Sequence, residues 1–277
     1  MSVATEITRI QNAKTKLKND LVGKGLPSSN TDKLDVLVDK IPLTYTKAYF
    51  ETCMSAANLF NKGVGYTFIS MDDLQYNDTA KVRYFFQTFV GCDRVVPLNT
   101  SWGEIFLSMY WGCTAEEFPE IDTARAVSLF SIYSNCKKAK KVSILNLKNN
   151  PSAWWVFNNC YVLPMVEIIN WNSVATENHE MFLNCYSLKA IVIRSFGVNK
   201  EFNSNNLNGC HHFNGTVDAT YNPTGAKDGY IYVPRAYVEE LKSATGWSLF
   251  GDQIRALEDY TVDSTTTGAL KTVEMGI

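Results

Sequence analysis

The sequence predicts an α/β solenoid in which short strands alternate with helical or irregular segments, preceded by N-terminal helices and closed by a strand–helix cap. Three observations carry this. Cysteines recur at a nearly constant interval, an aromatic residue and a Gly or Asn hold fixed places before them, and apolar residues alternate after them.

The seven cysteines, Cys53, Cys92, Cys113, Cys136, Cys160, Cys185 and Cys210, are separated by 39, 21, 23, 24, 25 and 25 residues. Disulfide frameworks are irregular and zinc sites show short Cys-x2-Cys pairs, whereas a period in the low twenties marks stacked rungs that each give one residue to a column. Three positions before each cysteine stand Phe50, Phe89, Tyr110, Tyr133, Phe157, Phe182 and Leu207. Directly before the last six stand Gly91, Gly112, Asn135, Asn159, Asn184 and Gly209, residue types that tolerate the left-handed backbone of a tight bend. After the cysteine, apolar residues fall at +3, +6 and +8: Ala139, Val142 and Ile144; Leu163, Val166 and Ile168; Leu188, Ile191 and Ile193. The last two steps read as a short strand with one buried face. Cys92, Cys113, Cys136, Cys160, Cys185 and Cys210 are therefore expected as a structural column of small buried hydrophobes. The long gap after Cys53 is expected to hold an insertion or a degenerate rung, and Glu116 stands where the rung of Cys113 calls for an apolar residue.

Residues 1–43 read as an attachment or oligomerisation segment. Val3, Ile7, Ile10, Leu17 and Leu21 form an apolar seam with a coiled-coil average spacing, which packs against copies of itself, against a partner or against its own domain. A second amphipathic helix carries Leu34, Leu37, Val38 and Ile41 and ends at Pro42. Residues 44–229 form the repeat body. Residues 230–260 open with the strand Tyr230–Val233 and Pro234 at a helix start, and are expected to cover the last rung's open edge. Residues 261–277 are polar and read as a mobile or partner-bound tail.

Composition bounds the function. At 277 residues the chain can bury a full core, and 45% hydrophobic with 19% charged residues is that of a folded protein. A net charge of −2 gives no electrostatic case for nucleic acid or anionic membrane, and no apolar run suffices for membrane insertion. The start, MSVATEITRIQNAKTKLK, has no apolar core of a secretory signal, so none is expected. No P-loop, nucleophile elbow, dinucleotide fingerprint or zincin motif occurs, and Cys210-His211-His212 is too tightly spaced to chelate one ion; no catalytic residue, metal or cofactor is expected.

The pattern Phe-x-Asn-Cys-x-x-Leu-x-x-Ile-x-Ile resembles the leucine-rich repeats of the bacterial surface-protein (BspA-like) group over residues 50–220, best over 133–194. Ile7, Ile10, Ala13, Lys14 and Leu17, followed by Gly23-Lys24-Gly25 and Lys33-Leu34-Asp35, are similar to the start of many phage tail, fibre and baseplate proteins. The Tyr-Val-Pro strand and the Lys-x-Ala-Thr-x-Trp helix resemble the unit that closes such repeats. Together the resemblances imply a non-enzymatic virion component, a tail or head fibre or baseplate appendage, assembled in the host cytoplasm and exposed on the particle. They further imply a homotrimer, N-terminal contacts to other virion proteins, and a body that meets a host-surface glycan or protein. The alternative is a bacterial cell-surface adhesin with the same repeats.

Candidate binding residues follow from the strand alternation. Positions +5, +7 and +9 after the cysteine are expected to face outward, giving Lys141 and Ser143 beside Leu145, Glu167 and Ile169 beside Met165, and Val192 and Arg194 beside Ala190. That face is apolar enough to suggest a partner or a neighbouring subunit. Trp154, Trp155 and Trp171 are candidate sugar-stacking rings, although packing is the commoner role of such residues. The run Lys137-Lys138-Ala-Lys140-Lys141 suits either an anionic polymer or a solvated turn, the second being favoured.

Overall fold

A computed structural model describes residues 74–261 together with 15, 19, 56–57, 59–61, 71–72 and 271–272. Thr15 and Asn19 are helical and exposed. Val3, Ile7, Ile10, Leu17 and Leu21, the second predicted helix and Cys53 lie outside the described residues.

The segments before the six described cysteines stack one above the next and are bent rather than helical. Their N–H groups donate to the following segment at every second residue. Phe85, Gln87, Phe89 and Gly91 donate to the carbonyls of Ile105, Leu107, Met109 and Trp111 at 2.7–3.0 Å, and Phe106, Ser108, Tyr110 and Gly112 repeat the pattern to Ser128, Phe130, Ile132 and Ser134 at 2.9 Å. This is the evenly spaced pattern of a parallel ladder, carried through a turn. The bend comes from positive φ directly before the cysteine, from Asn184 at 59° to Gly209 at 72°, as the Gly and Asn there predict. A second left-handed column, five residues before the cysteine, holds Gln87, Ser108, Ser131, Trp155 and Glu180. Nothing in those residue types announces it.

Two side-chain columns fill the interior. The rings of Phe60, Phe89, Tyr110, Tyr133, Phe157 and Phe182 stack in succession, with centroids 5.2–5.6 Å apart. Such pairs are each worth about 0.5–1.5 kcal/mol beyond the area they bury. Beside them the six cysteines from Cys92 to Cys210 are buried, and the five from Cys113 to Cys210 form no disulfide. Each thiol donates to the carbonyl of the aromatic residue one segment earlier, from Cys92 to Phe60 (3.0 Å) through to Cys210 to Phe182 (3.0 Å). The long cysteine gap thus contains a segment whose column aromatic is Phe60.

After the cysteine the chain turns into a parallel sheet of order β1-β2-β4-β6-β7, formed by Leu145–Asn146, Met165–Ile169, Ala190–Ile193, Tyr230–Val233 and Ile254–Ala256. β3 (Trp171–Ser173) and β5 (Phe196–Lys200) form a second parallel pair. Helix α1 is His211–Asn214 and α2 is Val238–Ser243. Around Cys113 the buried residues are Ala115, Phe118 and Ile121, at +2, +5 and +8, which leaves Glu116 exposed in an ion pair with Lys140 at 2.7 Å.

Three expectations are corrected here. Behind Cys136 the strand is displaced by one residue: Leu145 pairs with Ile168, nine and eight residues after their cysteines. Ser143, Leu145 and Leu147 therefore point inward, while Ile144 is exposed and Val142 half-buried. A one-residue slip exchanges the faces of a strand, and both alternating sets here are largely apolar. Second, the C-terminal unit does not simply cover the last rung. β6 pairs with β4 and β7 with β6, both parallel, so the unit lengthens the sheet by two strands. Its apolar residues Leu241, Trp247 and Ile254 are buried. Third, the tail is not wholly free, since β9 (Lys271–Thr272) pairs antiparallel with β8 (Tyr260–Thr261).

Candidate functional site

The outer face of the sheet is the first place to look, because the strand alternation points there. Glu167 and Arg194 face each other from β2 and from the residue after β4, and form an ion pair. Lys141 is exposed and Ile169 half-buried. Val192 is fully buried, contrary to its expected exposure. It belongs with Ala190 and Tyr232 to a small second core, against which Met165, Tyr230, Leu257 and Tyr260 pack. The apolar character of this face is thus met by the chain's own C-terminal strands, which the sequence could not place. Burial pushes the Tyr232 hydroxyl up to about 12.

Ser143 is also buried rather than outward. Its hydroxyl accepts from the Ile121 N–H at 3.0 Å and lies 3.0 Å from a Glu120 carboxylate oxygen, which satisfies a polar group in the core. Trp171 is fully buried, with its indole N–H donating to the Glu201 carbonyl at 3.1 Å and its ring edge-on to Trp247. It joins the repeat body to the C-terminal unit and presents no ring to a ligand. Trp154 and Trp155 are half-buried, and their indole N–H groups donate to the Thr176 carbonyl and the Glu180 carboxylate, both at 2.6 Å. The nine candidates therefore do not converge on one site.

A different column does form a continuous surface feature. The residue directly after the cysteine forms its own column, in which stand the exposed Lys137, the half-buried Tyr161 and Tyr186, and the buried His211. The rings of Tyr161 and Tyr186 stack at 4.6 Å, 7° from parallel, and Tyr186 stacks on His211 at 4.5 Å. The Lys137 ammonium sits 5.3 Å above Tyr161, a cation–π contact that closes the column at one end. Tyr221 leans against Tyr186 at 5.1 Å from the loop after α1. That loop is fastened by His212, whose ring nitrogens meet Asp228 at 2.5 Å and the Tyr221 carbonyl at 2.9 Å, and by Lys189, 2.9 Å from Asp228. Tyr161, Tyr186 and Tyr221 are half-buried. Partial desolvation and the neighbouring tyrosines raise the Tyr186 hydroxyl above its ordinary value.

The spacing that would have revealed this column was in the sequence, one residue after each cysteine, but only folding shows that the four side chains touch. Its chemistry is that of contact: ring edges, hydroxyls and one cation in a fixed row. Among the described residues no group of three or more His, Cys, Asp or Glu is arranged to hold a metal, and no helix is long and apolar enough to cross a membrane. Compared with known proteins, the chain matches no family, no curated protein and no solved structure.

Proposed function

We propose that this chain is a non-enzymatic phage structural protein, a tail or head fibre or baseplate appendage, whose leucine-rich-repeat-like solenoid displays a binding surface to the host. The observation that carries the reading is the Lys137–Tyr161–Tyr186–His211 column, in which successive repeats each contribute one side chain to an ordered, partly exposed row. Repeat architectures make extended binding surfaces in this way. Supporting it are Cys113, Cys136, Cys160, Cys185 and Cys210, buried and free of disulfides, which suit assembly in a reducing cytoplasm. In this proposal residues 1–43 oligomerise the chain, with a trimer favoured, and hold it to other virion proteins. The solenoid meets a host-surface glycan or protein.

Immunogold electron microscopy with antibodies to this chain tests the assignment on lysates containing particles. Labelling at a fixed site on the particle is the expected result. Labelling confined to the bacterial envelope overturns it in favour of a cell-surface adhesin.

A further inference from the structure

The C-terminal unit holds an open depression whose charge is not explained by packing. Lys227 from the loop before β6, Lys242 from α2 and Arg255 from β7 converge on it, with Tyr230, Ser248 and Asp252 on the same wall. The three cations lie 13–15 residues apart in sequence and meet only because β6 and β7 are adjacent and α2 folds back between them. Arg255 is fixed in place: its guanidinium lies 4.6 Å over the Tyr230 ring, and Nη1 donates to the carbonyls of Asp252 (2.7 Å) and Ile254 (3.1 Å). Lys242 shares its charge with Glu239 at 2.9 Å, whereas Lys227 forms no ion pair among the described residues. The wall therefore presents a preorganised planar cation, two ammonium groups, of which that of Lys242 is shared with Glu239, and two hydroxyls, against the single lining carboxylate of Asp252.

We infer that this depression binds an acidic saccharide, a polyhydroxylated group carrying a carboxylate or a phosphate. The fixed guanidinium suits paired contacts to the anionic oxygens, Lys227 adds a mobile charge, and the Ser248 and Tyr230 hydroxyls suit sugar hydroxyls. The biological setting rests on the proposed host-surface role; the chemistry of the site does not.

The full chain is titrated at low salt with glucuronate, glycerol phosphate, glucose and inorganic phosphate, followed by calorimetry or ligand-observed NMR. Saturable binding of glucuronate and glycerol phosphate is expected, with glucose and inorganic phosphate each weaker by about tenfold or more. Lys227→Glu, at an exposed position, weakens the acidic sugars by about tenfold, while Lys81→Glu, the same charge change elsewhere, does not. Arg255→Lys keeps the charge but loses the planar fork, and also weakens them. Equal binding of glucose, equal binding of inorganic phosphate, or indifference to Lys227→Glu with an unchanged thermal transition overturns the inference. Acidic-sugar binding without attachment to host cells leaves the site standing and removes the host role. Attachment without acidic-sugar binding does the reverse.

Discussion

The thiol of Cys185 donates a hydrogen bond to the carbonyl of Phe157, 3.0 Å away and one segment earlier in the chain. The same relationship holds from Cys113 to Phe89 and from Cys160 to Tyr133, so each thiol ties the aromatic stack of one segment to the turn of the next. Burial raises the thiols of Cys136, Cys160 and Cys185 far above the ordinary cysteine range, which suppresses the reactive thiolate. Ellman's reagent on the native protein at pH 8 is expected to leave the six described cysteines unmodified and to reach them only after denaturation. Cys185→Ala, which loses both the bond and buried volume, should destabilise by about 1–3 kcal/mol in urea unfolding.

Tyr110 and Tyr133 occupy the aromatic stack where its other members are phenylalanines; the Tyr110 hydroxyl has no hydrogen-bond partner among the described residues, whereas the backbone of Ser143 lies beside that of Tyr133. Burial pushes both hydroxyls well above the usual tyrosine range. Tyr110→Phe keeps the ring and removes the unmatched polar group, so stability is expected to stay level or rise by about 1 kcal/mol. A loss above that, measured by chemical denaturation, would mean the hydroxyl is matched after all.

Gly209 has φ +72°, and a Cβ there would lie 2.2 Å from Asn184 Oδ1 and 3.2 Å from Asn184 Cα. Asn184 in turn donates to Asn159, and Asn159 to Asn135, both at 3.0 Å, so the asparagines form a side-chain ladder that reaches this glycine. Gly209→Ala is expected to cost about 2 kcal/mol through backbone strain and the clash. Combined with Asn184→Gly, which clears the side chain, it should cost less than the sum of the two single changes. Strict additivity in thermal unfolding would count against the contact.

Asp228 links pH to the loop that carries Tyr221. Its partial burial raises the carboxyl, but the bonds from Lys189 and His212 outweigh that, leaving it below the ordinary 3.8. A depressed carboxyl contributes stability that is present above the unfolded value and lost as pH falls through the folded one. Acidification below about pH 4 should therefore loosen the loop 215–229, seen as faster amide exchange there, and Asp228→Asn should flatten that dependence. Unchanged acid sensitivity in the variant would assign the effect to another group.

The Tyr161–Tyr186 pair tests the display surface directly. In the proposed host-binding role, Tyr186→Ala lowers attachment to host cells by about tenfold or more, because it removes the ring on which Tyr161, His211 and Tyr221 all rest. Lys81→Ala, exposed and outside the column, leaves attachment unchanged.

Sequence by itself determined the cysteine column, the aromatic stack and the left-handed turns before the six described cysteines. Each of those depends on one residue type recurring at one place, and turn chemistry and burial are local demands that leave local marks. It also marked the strands after Cys160 and Cys185, whose inward residues Val166, Ile168, Ile191 and Ile193 are buried as the alternation predicts. Tertiary structure alone decided the rest. The inward face behind Cys136 went to Ser143 and Leu145 because the pairing with β2 selects between two apolar sets, and a buried serine is acceptable only where Glu120 and the Ile121 N–H meet it. Val192 and Trp171 left the surface because β6, β7 and the segment around Trp247 fold over them. The Tyr161 column and the basic depression arise from contacts between residues far apart along the chain, and such contacts are set by how repeats stack rather than by any motif within one of them.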